Sequence, residues 1–151
     1  MVPGGKGRGV ALYIKNELYK KVTKINTANH PDVQALLIQF PSMLLGGVYV
    51  PPRGDAANVV SKLELCAKGG NCVILGDFNY DYARSPKHPI RMQMDTLGFQ
   101  QVVTSPTHYK GNTIDHIYRR GSMEVEVRKN AAHYSDHFCL GVIFEKSNAF
   151  E

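Results

Sequence analysis

Asp77 and Asn79 are the two residues of this chain best suited to chemistry. They lie in the stretch NCVILGDFNYD, residues 71–81. A carboxylate can hold a hard cation or polarise a water, and a carboxamide both donates and accepts hydrogen bonds. On extended backbone, residues two apart point the same way. The pair can therefore meet one target, a metal ion or a phosphate. The plain alternative is a turn, which Asp and Asn favour, and the pair alone does not exclude it. Three more polar groups stand where apolar runs begin or end. Tyr49 sits in VYVPP, Asp115 in NTIDHI (residues 112–117), and Ser135-Asp136-His137 precedes a closing apolar run. Singly they read as a rim tyrosine, a paired aspartate and a turn. Jointly they read differently. An Asp and a His that meet form an orienting pair, in which the carboxylate fixes the tautomer and stabilises the cation. Asp136 adds a second carboxylate for a divalent ion. The whole set serves metal-assisted phosphoryl transfer.

Elements of two kinds must carry these groups. The run Cys72-Val73-Ile74-Leu75 has the length and branching of a buried strand, and Gly76 at its end permits a turn or a close approach. Strands are also expected over 9–15, 22–25, 33–40 and 43–50, with Pro41-Ser42 turning the chain between the last two. Gly46-Gly47 marks a bulge or a close backbone approach. Asp55 caps a helix over 56–68, with Val59, Leu63 and Cys66 on one face. Pro89 starts a second helix ending at Gly98, with Ile90, Met94 and Leu97 on its apolar face. Further strands are expected over 100–103, 112–118, 125–129 and 138–144, the last a buried closing strand. This alternation predicts an α/β layered domain.

The chain has 151 residues, enough for one domain, expected over 9–145 between a flexible start (1–8) and a short tail (146–151). No apolar run approaches the ~18 residues of a membrane span, so no membrane partner is expected. Cys66, Cys72 and Cys139 are odd in number, lack CxxC spacing and sit in apolar contexts. They read as buried thiols of a reduced compartment, placing the protein inside the cell, nuclear or cytoplasmic. Net charge is +5, compatible with a polyanionic partner. Arg84, Lys87, His88 and Arg91 lie beside the central motif, where phosphate contacts fit. Lys6, Arg8, Lys15, Lys20, Lys21 and Lys24 read as a solvated edge.

The ordered set GVALYI, VYVPP, ILGDFN, LGF, TIDHIY and SDHFCLGV resembles the endonuclease/exonuclease/phosphatase superfamily. It looks most like the apurinic-type endonuclease domain that begins LINE retrotransposon polyproteins, over nearly the whole chain. The resemblance implies a DNase-I-like fold, a two-sheet β-sandwich flanked by helices. It implies roles as well. Asp77 would position or deprotonate the attacking water. Asn79 and Tyr49 would contact the scissile phosphate. His137 would be a base or transition-state stabiliser held by Asp115, and Asp136 would join Asp77 in the metal region. Ser135, Thr113, Arg84 and Arg91 complete the expected phosphate and nucleic-acid contacts. The implied cofactor is Mg2+ or Mn2+, and the implied partner is nucleic acid, DNA above all.

One departure matters. The superfamily carries an Asn and a metal-binding Glu upstream of the strand matching GVALYI, and residues 1–8 contain neither. The expectation is a domain lacking its first strands, with weakened metal binding and a sheet edge open to a second copy or a partner chain. Three functions remain open: a metal-dependent endonuclease with weakened activity, a degenerate nucleic-acid-binding or protein-interaction domain, and a phosphatase of small phosphoesters.

Overall fold

The computed structural model describes residues 9–64 and 70–144. Their elements run in the order α1 (Asn16–Tyr19), β1 (Lys24–His30), β2 (Val33–Gln39), β3 (Met43–Tyr49), α2 (Ala56–Glu64), β4 (Asn71–Asp77), α3 (Pro89–Thr96), β5 (Gln100–Gln101), β6 (Asp115–Arg120), β7 (Val125–Asn130) and β8 (Cys139–Phe144). Six strands form a mixed sheet ordered β1-β2-β3-β4-β6-β5, while β7 and β8 form a separate pair. β3 and β4 are parallel, with α2 in the crossover between them; every other neighbouring pair is antiparallel.

The central strands are apolar on both faces because both faces are covered. On one, Val59 and Leu63 of α2 and Ile90 and Met94 of α3 pack on Leu37, Val48, Ile74 and Tyr118. On the other, Ile38, Met43, Val73 and Ile117 meet Leu140, Val142 and Phe144 of β8 and Leu12 and Ile14 of the first segment. The outcome is the expected α/β sandwich with helices outside. Caps set where the helices start. Asp55 Oδ1 accepts from the Ala57 and Asn58 amides, and His88 Nδ1 accepts from the Ile90 amide ahead of a helix opened by Pro89. No helix among the described residues is long and apolar enough to cross a membrane.

Several expectations need correction. Residues 9–15 show strand-like alternation, with Val10, Leu12 and Ile14 half-buried, but pair with no strand among the described residues. Alternation fixes which face a side chain uses; it does not supply a hydrogen-bonding neighbour. Val10 and Leu12 lie over β3, where a β-carbon on Gly47 would come within 2.8 Å of Val10 Cγ1. The double glycine is thus a close approach, and the β2–β3 register runs through it without a bulge. The strand expected at 22–25 begins at Lys24 and extends to His30, an edge strand too polar to read from apolar alternation. The strand expected from 112 begins only at Asp115. β8 is not buried on both faces. Its residues alternate, with Cys139 and Ile143 outward, because no layer covers that side of the pair among the described residues. Cys139 is therefore an exposed thiol, whereas Cys72 is buried as expected. Cys66, the expected end of the first helix, and the proposed flexible start and tail lie outside the described residues.

Candidate active site

Gly76 determines how the ends of the central strands align. A β-carbon there would run into the Val48 carbonyl of the neighbouring strand, so only glycine lets β4 approach β3 this closely. The register then places Tyr49 opposite Asp77, and Asp77 opposite Asp115. Gln34 of β2 stands opposite Tyr49 and extends the row. Four polar residues far apart in sequence thus form one line across β2, β3, β4 and β6. Parity puts them on the face that meets β7 and β8.

Beyond β4 the chain turns sharply. Asn79 has φ 53°, in the left-handed region that Asn tolerates. Its amide donates to Asp77 Oδ1 at 2.9 Å, and its side-chain Nδ2 donates to the Val50 carbonyl at 2.7 Å. The turn first weighed as the plain reading is therefore real. It fastens the ends of β3 and β4 together and fixes Asp77 in place.

His137 reaches the row from the loop before β8. Its Nδ1 lies 2.8 Å from Asp115 Oδ2, the orienting pair that spacing could only propose. Ser135 Oγ accepts from the His137 amide at 3.1 Å. Burial alone would lower the pKa of His137. The hydrogen bond and charge of Asp115, with the charges of Asp77 and Asp136, outweigh burial and hold it above the ordinary imidazole value. Burial pushes the Asp77 carboxyl up, and the charge of Asp115 adds to this; the Asn79 amide opposes both. A cation between these carboxylates would relieve that conflict.

Two sets of donors could hold such an ion. Asp77, Asp115 and His137 bring one ligand atom each within 4.8 Å of one another, and so do His108, Asp136 and His137. The two carboxylates of the first set suit Mg2+ or Mn2+, which take oxygen ligands and keep several waters. The donor chemistry fits.

The remaining expected residues behave differently. Thr113 is buried and works through its backbone, accepting from His116 Nε2 and from the Tyr82 amide. Arg84 is exposed and lies 3.6 Å from Asp81. The Arg91 guanidinium sits 4.0 Å over the Tyr82 ring and donates to the Tyr82 carbonyl at 2.7 Å, so it is held in the protein rather than offered to a ligand. Sequence reasoning missed Thr107 and His108. Thr107 is fully buried, and its Oγ1 accepts from the amides of Ile114 and Asp115, fixing the start of β6. His108 lies 3.1 Å from Asp136. Nothing in SPTHYKG distinguishes these two from ordinary turn residues; only their partners do.

The sequence pattern of the endonuclease/exonuclease/phosphatase family matches residues 2–137, and the chain belongs to that family. Among solved structures it is similar to CdtB, the biologically active subunit of cytolethal distending toxin, at 17% identity and TM-score 0.60, over 80% of this chain and 56% of that one. It is also similar to the endonuclease domain of TRAS1, a telomere-specific non-LTR retrotransposon, at 13% identity and TM-score 0.55, over 77% and 65%. A third is a 3′ phosphatase from Neisseria bound to a product DNA hairpin, at 16% identity and TM-score 0.57, over 82% and 71%. At these identities the likeness establishes the fold. The chain spans 56% and 52% of the first two structures it matches, both of cytolethal distending toxin. No curated protein sequence matches it.

Proposed function

We propose that this chain is a divalent-metal-dependent phosphodiester hydrolase that nicks DNA, of retrotransposon-endonuclease type. The observation that carries the reading is the His137–Asp115 pair closing on a row that already holds Asp77 and Tyr49. Asp77 with Asp115, or Asp136 in the neighbouring group that shares His137, would hold Mg2+ or Mn2+. When bound, the ion supplies Lewis-acid stabilisation of charge on the phosphoryl oxygens.

The protein's own groups do the rest. With Nδ1–H donated to Asp115, His137 presents Nε2 to the site. There it takes a proton when neutral, and when charged it stabilises the negative charge that grows on the phosphate in the transition state. Asp77, its carboxyl raised by burial, orients the attacking water and accepts its proton. The Tyr49 hydroxyl and the Asn79 carboxamide donate to the scissile phosphate. Ser135 and Arg84 line the approach of the backbone, with Arg91 supporting it through Tyr82 and buried Thr113 supporting it from beneath through its backbone. The TRAS1 and Neisseria structures, whose names specify an endonuclease and a DNA-bound 3′ phosphatase, favour DNA over small phosphoesters.

Plasmid nicking with Mg2+ or Mn2+, beside an Asp77→Ala/His137→Ala variant, tests this. Nicking is expected from the wild type and is lost in the variant. Equal activity in both points to contamination and ends the proposal. Salt-sensitive DNA binding without cleavage would support the degenerate nucleic-acid-binding alternative instead. Half-exposed Ile25 on β1 and Ile143 on β8 also support a second copy or partner chain over these edges. Sedimentation as a monomer at high concentration overturns that part.

A further inference from the structure

His108 and Asp136 form a pair in which one member is fixed and the other is not. The Asp136 side chain is 69% exposed and that of His108 only 12%. An exposed aspartate samples several rotamers unless something holds it. His108 is held on every side. Its backbone bridges His137, the Tyr109 amide donates to the Asp136 carbonyl at 3.0 Å, and the Phe138 amide donates to the Thr107 carbonyl at 2.8 Å. Its ring stands edge-on to that of His137, centroids 5.1 Å apart.

The tautomer follows from the partners. His108 Nδ1 accepts from the Lys110 amide at 3.2 Å, so in the neutral ring the proton is on Nε2, the atom 3.1 Å from Asp136 Oδ2. His108 therefore donates to the carboxylate. A metal at Nε2 would need that proton moved to Nδ1, where the Lys110 N–H already points. His108 is thus ill placed as a ligand and well placed to orient one. With Oδ2 taken, Oδ1 faces the site, 3.9 Å from His137 Nε2.

We propose that His108 is a positioning residue that locks the Asp136 carboxylate in the orientation needed to hold a divalent cation. The proposal rests on the metal-dependent reading above, and its test separates the two. Free Mn2+ measured by electron paramagnetic resonance gives affinity without turnover. His108→Ala is expected to weaken Mn2+ binding about tenfold, the ordinary size of an outer-shell loss. His108→Gln, whose amide N–H can reach the same oxygen, is expected to stay within about twofold of wild type on the same scale. Unchanged affinity in His108→Ala overturns the proposal, as does a His108→Gln variant as weak as alanine, which would make the imidazole itself a ligand. In the metal-free protein, nitrogen-15 spectra are expected to show the His108 proton on Nε2; the Nδ1–H form overturns the proposal independently. A wild type that binds no Mn2+ while showing the Nε2–H form defeats metal holding, and with it both the metal-dependent reading and this role for His108.

Discussion

Asp115 and His116 are consecutive residues of β6, yet the sheet sends them to opposite environments. Asp115 joins the open mouth and binds His137. His116 goes to the helix-covered face, fully buried among Phe78, Tyr80, Tyr82 and Tyr118. There its Nε2 lies within hydrogen-bonding distance of the Thr113 and Tyr80 carbonyls, and the Tyr118 hydroxyl stands 3.5 Å from Nδ1. Burial drives the pKa of His116 down to about 4, while that of His137 is held above its ordinary value. One histidine is kept neutral to complete a core, and the other is poised to carry charge. What separates them is the balance of burial and charge: the carbonyls beside His116 do not offset its burial, whereas the carboxylates around His137 outweigh its own.

That contrast can be broken first at the mouth. His137→Ala should cut nicking by roughly 10³-fold, the scale of losing a general acid–base group, and should barely move the urea midpoint. A midpoint shift as large as any core variant's would make His137 structural. Next comes the core. His116→Ala should cost about 3 kcal/mol, by cavity formation and by taking the donor from the Tyr80 carbonyl, with nicking retained at low temperature. Loss of nicking in a folded His116→Ala protein would erase the distinction.

A pH series sharpens it further. Because the folded pKa of His116 is depressed, the unfolded chain binds more protons between the ordinary value and about 4. Its contribution to stability is complete above pH 6.5 and falls by about 3 kcal/mol as pH drops to 4. Urea unfolding across that window should show the fall, and His116→Phe should flatten it. His137 should move the other way. In the metal-free protein its imidazole should titrate above an ordinary histidine by nuclear magnetic resonance, and Asp115→Asn should bring it down; no change would separate the pair electrostatically. The smallest effect concerns the two arginines. Arg91→Ala should cost about 0.5–1 kcal/mol of stability through its lost contact with Tyr82, leaving the salt dependence of DNA binding as it was. Arg84→Ala should lower that salt slope by about one. Reversed outcomes would put Arg91 on the DNA.

Much of this arrangement is legible in the sequence, for a physical reason. Short apolar runs ending in Gly-Asp, Tyr-Val-Pro and Ile-Asp carry local signals, because burial and turn chemistry act over a few residues. They locate β3, β4 and the polar ends of the strands, and the order of the motifs gives the family. Local signals also fail in identifiable places. The segment through Val10, Leu12 and Ile14 has strand alternation without a strand partner among the described residues. β1 is a strand without alternation, because an edge needs none. The Asp-His motif of β6 offers two candidates, and nothing local says that Asp115 faces the site while His116 does not.

Taken by itself, the sequence determined the residue types, the order of the polar motifs and the apolar periods that build the sandwich. Only the tertiary structure decided which groups meet. Register is a long-range property, set by Gly76 against Val48 and by strands far apart in the chain, and it alone aligns Tyr49, Asp77 and Asp115. The partner of His108, Asp136, likewise comes from a loop distant in sequence, and the Phe138 amide reaches the Thr107 carbonyl from the same stretch. Their chemistry depends on those partners, which the spacing of residues along the chain does not encode.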